Sequence, residues 1–136
     1  MEKVKRWLSW SLKAGSLYFF LVSVAHVLGV KIPGLFIYFD VPSYAYQDRI
    51  ISFLSLGWSI LFWVVAYDPG RDKRLLNAVL VMGGAGVVGL GLINITTDFE
   101  ALKDGLQPGL YWVETAVLAG YLLLLVILTR RLHRIS

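Results

Sequence analysis

Residues 75–97 read LLNAVLVMGGAGVVGLGLINITT, with no charged side chain. A helix that crosses the hydrocarbon of a bilayer needs about 17–25 mostly apolar residues, and this stretch supplies them. Working outward, uncharged runs also cover residues 14–30 and 50–67, and a fourth covers 105–129, broken only by Glu114. The runs predict spans over about 12–30, 50–67, 75–97 and 106–129. Together they use most of the 136 residues, so the chain reads as one domain, 1–136. The expected fold is all-α: an integral membrane, antiparallel four-helix bundle, since short connections make sequential helices antiparallel.

Composition agrees. The chain is 57% hydrophobic and 16% charged, against about 25% charged in a soluble domain. Its mean hydropathy is +0.68. The basic start and apolar first run have the order of a signal peptide, but Lys31-Ile32-Pro33-Gly34 follows with no small-x-small cleavage site. A retained helix is expected. Cysteine is absent, which excludes disulfides and thiol redox chemistry.

Charge sets an expected orientation. Lys3, Lys5, Arg6, Lys13, Arg71, Lys73, Arg74, Arg130, Arg131 and Arg134 fall on one side of a four-span chain. Only Lys31, Arg49 and Lys103 fall on the other. The positive-inside rule places both termini in the cytoplasm of a cell-membrane protein. The net charge of +4 then reflects proximity to anionic lipid head groups, and no nucleic-acid partner is expected. Trp7, Trp10, Trp63, Tyr67, Tyr111 and Trp112 lie near expected span ends, where amphipathic rings favour the head-group level.

The longest connection, KIPGLFIYFDVPSYAYQDR over 31–49, is amphiphilic through Phe36, Ile37, Tyr38, Phe39, Val41, Tyr44 and Tyr46. It is expected at the outer interface, either as a cap on the helices or as a lid that touches a ligand. The third span carries Gly83, Gly84, Gly86, Gly89 and Gly91. Small residues let helices approach closely in lipid. They serve packing within one bundle or an interface with a second copy or another membrane protein.

Ionisable and strongly polar groups inside spans are costly, so each is a functional candidate. His26, Asp48, Arg49, Asn94, Asp98 and Glu114 all fall in the outer half by this reading. Asn94 and Asp98, four apart, are expected on one helix face. Glu114 must pair with His26 or Arg49 or stay protonated. The cluster reads as a structural hydrogen-bond network or as a site for a ligand or proton. No His/carboxylate spacing supports a metal, and His26 and His133 lie on opposite sides, which argues against haem. No cofactor is expected, and no nucleophile or phosphate-loop motif appears.

AHVLGVKIPGLF at 25–36, YQDR at 46–49 and DPGRDKR at 68–74 give the first two thirds of the chain a layout that resembles the small four-span DoxX-like and BphX-like membrane proteins. The resemblance implies an accessory role beside an oxidative or respiratory system. The expected function is a non-enzymatic binding or accessory protein whose outer-half pocket takes a lipid, a quinone or a similar amphiphile. His26, Asn94, Asp98, Glu114, Asp48 and Arg49 would be its polar contacts and Phe36, Tyr38 and Tyr46 its lid. The alternative is a small transporter or channel using Glu114 or Asp98 for proton or ion coupling.

Overall fold

The computed structural model describes residues 2–135 and is all-helical. Its elements are α1 (Glu2–Leu28), α2 (Ala45–Tyr67), α3 (Lys73–Thr96), a short α4 (Phe99–Leu102) and α5 (Pro108–Ile135). The four longer helices are each long and apolar enough to cross a membrane. The basic N-terminal residues extend α1 instead of lying apart from it.

Each helix end has a local cause. Gly29, at φ 65°, lets the chain leave α1 in the left-handed region. The Val30 N–H then reaches the Ala25 carbonyl at 2.9 Å and the Gly29 N–H reaches that of His26 at 3.2 Å. Those two bonds form a Schellman stop. The Gln47 side chain accepts from the Tyr44 N–H at 2.9 Å to open α2. Asp72 caps α3 by accepting from the Arg74 and Leu75 N–H groups. The helix ends at Thr96 because Thr97 is extended, at φ −91° and ψ 124°. Asn94 and Asp98 therefore do not share a helix face. Asp98 instead caps α4, accepting from the Ala101 N–H at 3.2 Å.

A serine ladder joins α1 to α2. Ser9 donates to the Ala66 carbonyl at 2.6 Å, Ser16 to that of Ser59 at 2.8 Å, and the Ser23 and Ser52 hydroxyls meet at 3.2 Å. The steps are seven residues on each helix and run in opposite directions, so the pair is antiparallel. A seven-residue repeat keeps one seam in contact along the whole length. Small side chains there permit close approach of the two helices. The buried face of α5 has the same rhythm through Tyr111, Thr115, Leu125, Thr129 and Leu132.

Helix contacts follow the order α2, α1, α5, α3; α2 and α3 touch little. The dense core lies toward the termini, where Leu8, Leu12, Phe62, Leu76, Val79 and Leu125 pack together. Beyond Val79, α3 has no fully buried residue. At the opposite end a smaller cluster of Val22, Ala25 and Phe36 seats the 29–44 connection.

At the terminal end Lys5 pairs with Asp68 at 2.8 Å. That hydrogen bond holds the Asp68 carboxyl below its ordinary value of 3.8. A depressed folded pKa adds stability that is complete above the unfolded value and disappears as pH falls through the folded one. The pair is half-exposed, so its contribution is small. Thermal melts taken downward from pH 3.8 should therefore lose stability less steeply in Asp68→Asn than in the wild type. Parallel curves would show that the pair does not sense acid.

Candidate functional site

The polar residues of the expected outer half separate into two groups. His26 stands in the last turn of α1, and Asp48 in the first turn of α2. Their side chains are mostly buried, 13% and 14% exposed, and His26 Nδ1 lies 3.1 Å from Asp48 Oδ1. Ser43 donates to Asp48 at 3.2 Å. Lys31 in turn donates to Ser43 Oγ at 2.6 Å and to the Val41 carbonyl at 3.0 Å. The chain from Lys31 to Ser43 is thus closed on itself and fastened to the mouth of the α1–α2 pair.

Beneath this cluster is a cleft of about 320 Å³, lined by His26, Asp48, Lys31 and Ser43 at its polar end. Its remaining wall is apolar and aromatic, with Phe19, Phe36, Tyr38, Phe39, Ile51 and Leu90 contributing. The His26 and Phe36 ring centroids are 4.4 Å apart. Ile51 comes from α2 and Leu90 from α3, two helices that touch little.

The second group anchors the connection from the other side. Tyr38 donates to Asn94 Oδ1 at 2.7 Å, and Asn94 Nδ2 donates to Thr115 Oγ1 at 3.0 Å. Tyr111 donates to Asp40 at 2.5 Å. Glu114 lies beside the Gly34 backbone, and Tyr18 donates to the Leu35 carbonyl at 3.0 Å. The rings of Tyr38, Phe99 and Tyr111 contact one another at 4.9–5.8 Å between centroids. Burial raises the Tyr38 phenol above its ordinary value of 10.0, so it stays a donor at neutral pH.

Of the residues singled out in the sequence, His26, Asp48, Phe36 and Tyr38 come together around the cleft. Asn94 is one hydrogen bond away through Tyr38. Glu114 meets the Gly34 turn and pairs with neither His26 nor Arg49 among the described residues. Asp98 caps α4. Arg49 is exposed, and the exposed Tyr46 stacks on Tyr44 at 5.9 Å. Sequence reasoning missed Lys31, Asp40, Ser43 and Thr115. Ser43 carries a local signal, standing five residues before Asp48 beside Pro42. Asp40 and Thr115 carry none, because their partners lie on distant helices.

Comparison of this chain with family models, curated proteins and solved structures finds no match.

Proposed function

We propose that the chain is a polytopic integral membrane protein, both termini cytoplasmic, that holds an amphiphile such as a lipid or quinone in the cleft under the 29–44 connection. The observation that carries this reading is the cleft itself: an apolar, aromatic wall ending in one compact polar cluster, His26–Asp48–Ser43–Lys31. That division matches a molecule with a tail and a head, and a mostly apolar pocket with few polar anchors is the usual form of a small-molecule site. The sparse contact between α2 and α3 favours entry sideways from the bilayer, past Ile51 and Leu90.

The basic residues support the orientation, gathered as they are at the end that holds the termini and the α2–α3 turn. The likeness to DoxX-like and BphX-like proteins supports an accessory role. Coupled transport through Glu114 or Asp98 has less behind it. Glu114 lies against the Gly34 turn, Asp98 caps a helix, and the terminal half is filled by leucine, valine and phenylalanine.

Native mass spectrometry of the protein released from nanodiscs tests the reading. The wild type should carry a discrete amphiphile adduct. His26→Ala should lose most of it, about a tenfold drop in occupancy for one lost polar anchor. Glu114→Gln, which is outside the cleft, should keep it. A wild type with no adduct, even after incubation with lipid extract, would remove the binding reading.

A further inference from the structure

Resting on that reading of the cleft, we propose that its ligand presents a hydroxyl group, carried on an aromatic ring with an apolar tail, to Nε2 of His26. The argument is one of hydrogen-bond polarity. Asp48 sits in the first turn of α2, where the helix dipole favours a carboxylate. It already accepts from the Ser43 hydroxyl. An ionised carboxylate can only accept. The proton in the 3.1 Å contact between His26 and Asp48 therefore belongs to Nδ1 of the imidazole. In a neutral ring this leaves Nε2 as a lone-pair acceptor.

Nδ1 makes the only hydrogen bond of this ring among the described residues, so Nε2 is available to a ligand. Two of the three Lys31 donors are engaged with Val41 and Ser43, and the Tyr38 hydroxyl with Asn94. One Lys31 donor stays unused among the described residues, but Nε2 of His26 offers a head group an acceptor. A ketone or ester oxygen would set lone pair against lone pair there. A hydroxyl complements it. The ring preference follows from the wall, where Phe36 lies against the imidazole and Tyr38 and Phe39 continue the aromatic surface. Aromatic pairs add roughly 0.5–1.5 kcal/mol beyond area burial, equivalent to about two- to twelvefold in occupancy.

The test is a competition in nanodiscs, read by native mass spectrometry on the full chain, among para-dodecylphenol, its methyl ether and dodecanol. The phenol should win over the ether by about tenfold, the value of one good hydrogen bond. It should also win over the aliphatic alcohol. In His26→Leu the preference over the ether should fall to about one. Asp48→Asn keeps the imidazole and checks the polarity independently. An amide N–H facing Nδ1 moves the ring proton to Nε2, so the phenol preference should also collapse. Nitrogen NMR of labelled histidine should show the proton of His26 on Nδ1 in the wild type and on Nε2 in Asp48→Asn.

Equal occupancy by phenol and ether in the wild type, or an Nε2-protonated ring there, would overturn the hydroxyl assignment while leaving the amphiphile site in place. Dodecanol binding as well as the phenol would overturn the aromatic part and assign the hydroxyl to an aliphatic lipid. Binding of none of the three would overturn the underlying amphiphile reading along with the inference.

Discussion

Gly15→Ala should destabilise the protein by about 1–3 kcal/mol, the usual cost of forcing an extra carbon into a well-packed core. Gly15 is buried where α1 crosses both α2 and α5. A β-carbon there would collide with the Tyr121 hydroxyl and stand 2.7 Å from the Phe62 ring. Neither neighbour can give way cheaply. Tyr121 donates to the Ser11 carbonyl at 2.8 Å. Phe62 is 4% exposed and packs against Phe19 and Trp58. Alanine gains roughly 0.8–1.0 kcal/mol in helix propensity over glycine, and the net effect is still a loss because the clash involves rings held from several sides. Thermal unfolding in mild detergent measures it. Gly84→Ala is the control, since a β-carbon there meets nothing within 4 Å. Equal melting of the two variants would show that the three helices are not held as closely as Gly15 requires.

Tyr111→Phe should cost about 1.5–3 kcal/mol, the range for a hydrogen bond to a charged group, and should loosen the 29–44 connection. Tyr111 is fully buried and its hydroxyl is the donor to Asp40. Removing that oxygen leaves a half-buried carboxylate facing a ring edge, and the desolvation already incurred is not recovered. The aromatic trio with Tyr38 and Phe99 survives, since phenylalanine keeps the ring. The effect therefore isolates the hydroxyl. Hydrogen exchange should speed up at residues 35–41 with little change in α2. A cycle with Asp40→Asn should show a coupling of at least about 1 kcal/mol for a contacting pair. Additive effects of the two substitutions would mean that Tyr111 and Asp40 do not hold the connection to α5. Because this anchor shapes the aromatic side of the cleft, occupancy by the proposed amphiphile should fall together with protection of the connection.

How much of this was legible beforehand differs by element. The four long helices are plain from run length. The end of α3 was not: Asn94 and Asp98 have helical spacing, but the chain breaks at Thr97 so that Asp98 can cap a new turn. The serine ladder is visible in retrospect as a seven-residue repeat on two helices. Serine in an apolar run reads as tolerated polarity until a partner helix carries the matching repeat.

The sequence by itself determined the number, length and apolarity of the helices and the concentration of basic residues at one end. Those properties belong to each segment alone, and length and hydropathy are enough to read them. Only the tertiary structure decided which polar groups meet. His26 finds Asp48 across 22 residues, Tyr38 finds Asn94 across 56, and Tyr111 finds Asp40 across 71. Such pairings depend on the rotation of each helix about its axis and on the path of one connection. Rotation is set by packing between surfaces, and no local pattern encodes it.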